Sequence, residues 1–339
     1  MVLTHFHPIY IQRVKMKKIL LGLIVVILTG CSLASEASPQ ESITIASWNV
    51  QNLFDGSDDG TEYPEYTKDG YWSDALYRLR LSDVETVLCY DKLSDADIIV
   101  LNEVENENVV KDILELKSIK KRGFRYYACA GESGGAIKTA VISRLVLSDA
   151  KIHSVDNARP VLEVCVNSGS VHILAVHGKS KAGNEDGSAD LRLALGKTLF
   201  EIADGILNEN PYATVVIAGD MNEDWTDGNL MINSAALNGK ATACPLVVSP
   251  QRNDMWYCFW LDNTLDLDSP GSYYYGGKWS CIDNILLSDG STLIDAGVVN
   301  KGILRKSDLT PDAWIRNLAS GVSDHFPVWV ELKIKVVLL

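Results

Sequence analysis

Short runs of apolar and β-branched residues recur along the chain at 43–47, 98–101, 139–143, 161–166, 171–176, 214–218, 282–287 and 327–334. Each has the length and composition of a strand. Three longer stretches change period. Residues 73–93 place Leu76, Leu79, Val84, Val87 and Leu88 near one helical face, 109–119 repeat the pattern over a shorter span, and 189–207 align Leu191, Leu195, Leu199, Ile202 and Ile206. The runs at 161–166 and 171–176 are joined by Asn167-Ser168-Gly169-Ser170, which predicts an antiparallel hairpin. Some strands are joined by hairpins and others are separated by helices. That combination predicts an α/β fold: a four-layer α-β-β-α sandwich of two mixed β-sheets packed face to face, with helices outside. Residues 43–339 contain no linker, repeat or low-complexity tract, so they read as a single domain.

The first thirty residues belong to a different pattern. Arg13, Lys15, Lys17 and Lys18 precede an apolar run from Ile19 to Leu28. At about 20 residues needed to cross a bilayer, that run is too short to span one, and it fits the core of a secretory signal. It ends in Leu28-Thr29-Gly30-Cys31, which looks like a bacterial lipobox, in which the cysteine is acylated and becomes the mature N-terminus. Residues 1–31 are therefore expected to be a lipoprotein signal peptide with Cys31 lipidated, and 32–42 a polar tether. The expected location is the cell envelope, lipid-anchored to a bacterial membrane and facing outside the cytoplasm.

Net charge is −13. All four basic residues of the leader precede Cys31 and no acidic residue does, so the mature chain is four units more negative. A protein that wraps nucleic acid by neutralising phosphates is normally basic. The balance excludes tight passive binding of that kind, but not an enzyme whose acidic cleft holds a cation. Six cysteines remain after Cys31, in no zinc-binding spacing. Cys89, Cys129 and Cys165 sit in apolar stretches as expected buried thiols, and Cys244, Cys258 and Cys281 leave a disulfide open without fixing its pairing.

The chemistry lies where strands stop. The run 98–101 ends in Asn102-Glu103, 214–218 in Gly219-Asp220-Met221-Asn222, 43–48 in Asn49 and 171–176 in His177, while Asp283-Asn284 and Ser323-Asp324-His325 stand at the starts of others. One polar strand end is ordinary turn chemistry; six point to a shared rim. Carboxylates and amides without cysteine favour a hard cation such as Mg²⁺, Mn²⁺ or Ca²⁺. Histidines beside carboxylates supply proton transfer near neutrality. Together they suit hydrolysis of a phosphate ester.

The ordered segments Ser47-Trp48-Asn49-Val50-Gln51-Asn52-Leu53-Phe54, Leu101-Asn102-Glu103-Val104-Glu105, His177-Gly178-Lys179-Ser180-Lys181, Gly219-Asp220-Met221-Asn222-Glu223, Ile282-Asp283-Asn284 and Ser323-Asp324-His325-Phe326-Pro327 resemble the endonuclease/exonuclease/phosphatase superfamily over roughly residues 43–334. The resemblance implies that Glu103 is a principal metal ligand, with Asn49 and Asp324 close to the ion. It implies that Asp220 orients or deprotonates water and that Asn222 holds the phosphate. His325, paired with Asp283, would contact the scissile phosphate, and His177 would protonate or stabilise the leaving oxygen. Lys179 and Arg192 are added as substrate contacts. Three positions depart from the superfamily pattern: Asn102 replaces a Gln, Val176 an Asn or Thr, and Gln51 an Asp.

These features predict a Mg²⁺-, Mn²⁺- or Ca²⁺-dependent phosphodiesterase, an exported nuclease with nucleic acid as substrate, the membrane as partner through its anchor, and a monomeric state. Two alternatives stand beside it: a phospholipid head-group or inositol-phosphate phosphoesterase of the same fold, and a catalytically silent surface-binding lipoprotein. The stretch from Tyr273 to Trp279 either stacks a base or sugar beside the site or packs on a sheet edge. Trp256, Tyr257, Phe259 and Trp260 fit either core or a membrane-facing loop.

Overall fold

The computed structural model describes residues 42–132, 134–166, 169–181, 185–252 and 256–333. The leader, Cys31 and nearly all of the tether lie outside the described residues, as do Asn167 and Ser168 of the expected hairpin turn. Its strands are β1 (Ser42–Leu53), β2 (Ile98–Val104), β3 (Tyr126–Ala130), β4 (Lys138–Ser143), β5 (Ser148–Val155), β6 (Ala158–Val166), β7 (Val171–His177), β8 (Thr214–Asp220), β9 (Met231–Asn233), β10 (Leu246–Ser249), β11 (Trp256–Cys258), β12 (Tyr273–Tyr275), β13 (Lys278–Ser280), β14 (Asp283–Leu287), β15 (Leu293–Val298) and β16 (Val328–Lys333). The helices are α1 (Asp74–Leu88), α2 (Asp91–Asp95), α3 (Glu107–Glu115), α4 (Lys117–Lys121), α5 (Glu185–Glu209) and α6 (Ser234–Leu237).

Two mixed sheets form the centre. The first runs β15-β16-β1-β2-β4-β3 and the second β5-β6-β7-β8-β14-β11-β10-β9. β1 lies parallel to β2, and β7 parallel to β8. β16 runs antiparallel to β1, and β14 antiparallel to β8. Alternation divides the second sheet between two cores. Leu162, Val164, Ile173, Ala175, Val216 and Ala218 face the first sheet, while Val161, Leu174, Val176, Val215 and Ile217 face Leu195, Leu199 and Ala203 of α5. α1 to α4 cover the other side of the first sheet, with Val84, Val87, Leu88 and Ile113 buried. This is the expected four-layer sandwich.

Two expected helices are each divided. Ser73 caps α1 by accepting from the Leu76 amide, but the chain turns at Cys89 and Tyr90 before α2. Asn106 caps α3 through the amides of Asn108 and Val109, and extended backbone at Leu116 (ψ 138°) separates it from α4. Apolar periodicity runs through both turns, so the breaks leave no mark in the pattern. Cys89 is exposed rather than buried, and Cys129 is half-buried. Cys244, Cys258 and Cys281 are free thiols, so the disulfide left open from sequence is not formed. Trp256, Tyr257 and Phe259 are buried core, which removes the membrane-facing loop.

Candidate active site on the shared sheet rim

The topology gathers the polar strand ends at one edge. β1, β2, β7 and β8 deliver Asn49, Glu103, His177 and Asp220 near their C-terminal ends. β14 and β16 run the opposite way, so Asp283 and the His325 segment arrive at their N-terminal ends; Asp283 pairs directly with Asp220 in the ladder.

Glycine allows the closest approach. Gly219 has φ 147°, and a Cβ there would sit 1.9 Å from the Val176 carbonyl oxygen. Only glycine fits between β7 and β8 at that point. The site also holds left-handed backbone at non-glycine residues: Gln51 (φ 52°), Asn52 (φ 53°), Glu103 (φ 63°) and Asn222 (φ 52°). Such strain persists where surrounding contacts enforce it. Here buried Arg80 supplies some of that enforcement, donating to the carbonyls of Val50 and Gln51.

Asn49 is 1% exposed. Its Nδ2 donates to Glu103 Oε1 at 3.0 Å and to Asp220 Oδ2 at 2.9 Å, and its Oδ1 accepts from the Gln51 amide. Asn49 thus spaces two acids and turns its oxygen toward the backbone. Glu103 also accepts from the Asn52 amide at 2.9 Å. Burial raises the Glu103 carboxyl above its ordinary range, and the nearby charge of Asp324 adds to this. Glu103 and Asp324, partly open to solvent and mutually repelling, form an oxygen-rich acidic end that fits a hard divalent cation.

On the other side His325 Nδ1 lies 2.7 Å from Asp283 Oδ2, and its Nε2 is 3.9 Å from both Asp220 Oδ2 and Asp324 Oδ1. Burial opposes charge on this ring, yet Asp283, Asp324 and Asp220 hold its pKa well above the ordinary histidine value. His325 is therefore an imidazolium. Ser323 Oγ accepts from the His325 amide and donates to the Asn49 carbonyl, tying this turn to β1. Burial, reinforced by Asp283, raises the Asp220 carboxyl to about 7, while the His325 charge and the Asn49 hydrogen bond work the other way.

His177 has the opposite character. Burial and the positive charges of Arg159, His325 and Lys179 hold it well below the ordinary value, so its ring is neutral. Its Nε2 is 3.7 Å from Glu103 Oε1 and from Asp220 Oδ2. A neutral ring can donate one hydrogen bond to an oxygen but carries no spare proton. Asn222 sits beside it, with Nδ2 3.2 Å from the Gly178 carbonyl and 3.2 Å from Asp220 Oδ2.

The two added basic residues part company. Lys179 is exposed on the loop after β7. Arg192, expected at the phosphate, is instead buried, donating to Glu223 Oε2 at 2.8 Å and to the Lys179 carbonyl. Glu223 also accepts the amides of Asn229 and Leu230, so the pair fastens the loop after β8 to α5. Gln51, a departure from the superfamily pattern, has structural work of its own: its Oε1 accepts the amides of Trp314 and Asp324. Asn102, another departure, joins the sheets by accepting the Asp220 amide at 2.8 Å and donating to the Val176 carbonyl at 2.8 Å.

Two contributors, Arg159 and Ser272, carry no sequence signal, while Tyr273 opens the aromatic stretch the sequence had singled out. Arg159 reaches the Gly178 carbonyl at 2.9 Å from β6, and Ser272 Oγ receives the Asp283 amide. Tyr273 lies against His325, with ring centroids 4.7 Å apart. All three act through contacts set by the fold rather than by local sequence pattern.

A sandwich of facing sheets whose common rim sets buried Asp220, the partly exposed Glu103 and Asp324, a His–Asp pair and a second histidine together fits a phosphoric ester hydrolase. Residues 44–334 match the Endonuclease/Exonuclease/phosphatase family, and the chain belongs to it. The family is divalent-metal-dependent, in keeping with the acidic end of the rim. The fold is shared with truncated TDP2 from Caenorhabditis elegans, at TM-score 0.53 and 17% identity over 86% of this chain and 98% of that one. It is shared with humanized D. rerio TDP2, at TM-score 0.52 and 14% identity over 87% and 100%. An endonuclease/exonuclease/phosphatase family protein from Bacteroides thetaiotaomicron aligns at TM-score 0.50 and 16% identity over 87% and 98%. No curated protein sequence matches the chain.

Proposed function

We propose that this chain is a divalent-metal-dependent phosphodiesterase that hydrolyses DNA or RNA outside the cytoplasm, anchored to a bacterial membrane by lipid on Cys31. The observation that carries the chemistry is the His325–Asp283 pair facing Asp220 and Glu103 across one rim. Asp220, raised toward neutrality by its burial, takes the proton of the attacking water. The His325 imidazolium and the Asn222 amide meet the phosphate oxygens. The neutral His177 ring donates a hydrogen bond to the leaving oxygen, which takes its proton from solvent. Glu103 and Asp324 would hold Mg²⁺, Mn²⁺ or Ca²⁺, which offsets charge that develops on the phosphate.

Nucleic acid is supported by the aromatic hairpin of β12 and β13. Tyr273 and Tyr275 stack at 6.4 Å beside His325, and every base offers a face for such stacking. The phospholipid reading keeps the lipid anchor as its motive but loses the aromatic stretch, because Trp256, Tyr257 and Phe259 are core. Export rests on the leader sequence alone. Among the described residues no helix is long and apolar enough to cross a membrane.

The test is a substrate panel of single- and double-stranded DNA, RNA, sphingomyelin and inositol phosphates, each assayed with Mg²⁺, Mn²⁺ and Ca²⁺. Turnover of nucleic acid that is abolished by EDTA is expected. EDTA-resistant hydrolysis removes the metal, and turnover of the lipid or inositol substrates alone removes nucleic acid. Labelled palmitate should enter the parent protein and not Cys31→Ser; equal labelling rejects the anchor.

A further inference from the structure

Five residues before His177 on β7, a distance of roughly 17 Å along a strand, three strands converge on side chains that the catalytic rim does not use. Alternation sends Glu163 and Cys165 of β6 to the same face as Val161, which packs toward α5. The ladder sets His172 of β7 opposite Cys165, and on β5 it sets Lys151 opposite Glu163 and His153 opposite Val161. His177 lies five positions from His172, an odd step, and so belongs to the other face of the sheet.

The group is tightly drawn. Glu163 is 1% exposed and Cys165 2%. Glu163 Oε1 lies 3.0 Å from His172 Nδ1, and its Oε2 lies 2.7 Å from His153 Nε2. Cys165 Sγ is 3.0 Å from His172 Nδ1. Single donor atoms from Glu163, Cys165 and His172 all lie within 4.8 Å of one another. Lys151 Nζ stands 3.7 Å from Glu163 Oε1 at the exposed margin.

We propose that Glu163, Cys165 and His172 form a second metal site for a borderline-soft transition ion of the Zn²⁺ and Co²⁺ class, with His153 or solvent in the fourth position. A thiolate, an imidazole and a carboxylate select that class over Mg²⁺ or Ca²⁺. With bonds of about 2.3 Å to sulfur and about 2.0–2.2 Å to nitrogen and oxygen, a tetrahedral ion sets its donors roughly 3.3–3.6 Å apart. The present contacts therefore widen by less than about 1 Å, within reach of side-chain rotation. Binding releases the thiol proton and any imidazolium proton to solvent, and the ion takes their place. Where His153 is not itself a ligand, its bond to Glu163 Oε2 fixes the carboxylate, the usual service of an outer partner.

Cobalt titration of the purified protein tests this without reference to activity. A tetrahedral thiolate site gives a sulfur-to-cobalt charge-transfer band in the near ultraviolet and strong visible bands. One equivalent with both features is expected in the parent and in Glu103→Gln, which alters only the catalytic rim. Cys165→Ser should lose the ultraviolet band, and Glu163→Gln should bind at least tenfold more weakly. No thiolate band in the parent at saturating Co²⁺ overturns the proposal, and this outcome depends on no variant. Persistence of the band in Cys165→Ser, or its loss in Glu103→Gln, overturns it equally.

Discussion

The two histidines of the rim occupy one cleft yet are shifted in opposite directions, because burial prevails at one and carboxylates prevail at the other. His325 has Asp283 in contact at 2.7 Å with two further carboxylates at 3.9 Å, whereas at His177 burial, aided by the charges of Arg159, His325 and Lys179, outweighs Glu103 and Asp220 at 3.7 Å. Asp283 is thus the residue on which the imidazolium depends most. Asp283→Ala should lower kcat by about 10²–10³-fold, the range for losing one group that stabilises charge in the transition state, while KM changes little. The loss should be smaller at low pH, where the freed ring is protonated by solvent. A pH-independent loss would show that Asp283 acts only in folding. Asp283 and His325 are separated by 42 residues, so their partnership is invisible to local pattern. Their pairing was expected only from resemblance, while the distance between them and the opposite shift of His177 needed the fold.

Between elements, the clamp at Asn102 matters most. Its side chain reaches from β2 in one sheet to Asp220 in β8 and Val176 in β7 of the other, and with the Asn49–Asp220 bond it ties the two sheets together at the rim. Asn102→Ala would leave the buried Asp220 amide without its acceptor, at a cost of roughly 1–3 kcal/mol. Urea denaturation should register that cost, and kcat should fall as Asp220 loses its place; a variant of parental stability would sink the clamp. From sequence Asn102 appeared only as a departure from a family pattern. The same limit applies on β5, β6 and β7. Strand alternation and cross-strand register assemble Glu163, Cys165, His172 and His153, and no linear metal-site spacing contains them. Eight strands were legible because apolar runs are local, while β3, β5, β9 to β13 and β15 were missed because short or polar-faced strands take their pairing from the sheet.

The β5–β6–β7 cluster also has a pH signature in the metal-free protein. Glu163 is depressed to about 2, so its contribution is present above the unfolded carboxylate range and is lost as pH falls toward 2. His172 is raised to about 9, so its contribution is present below the unfolded histidine value and is lost as pH rises through 9. Both are complete only between roughly pH 4.5 and 6.5. With chelator present, Glu163→Gln should lower Tm most in that window and least above pH 9. A Tm difference that does not vary with pH would assign Glu163 to packing alone.

At the scale of the whole molecule, the charge of −13 and the polyanionic substrate proposed above must be reconciled. A nuclease that gathers its substrate on a basic track loses affinity steeply with salt, because each neutralised phosphate releases counterions. The basic residues near this rim are mostly engaged: Arg192 with Glu223 and Arg159 with the Gly178 carbonyl, leaving Lys179 exposed. Long-range repulsion should then dominate the approach of a long chain, and monovalent salt screens it over a Debye length of about 8–10 Å at physiological strength. With Mg²⁺ held in excess, raising KCl from about 20 to about 150 mM should leave kcat/KM for long DNA or RNA unchanged or increased. A substrate with a single phosphodiester should show no comparable gain, since few of its charges meet the wider field. A tenfold or greater fall for the long substrate over that range would reveal a basic binding track, and would overturn the view that the rim recruits its substrate through the cation and the aromatic hairpin.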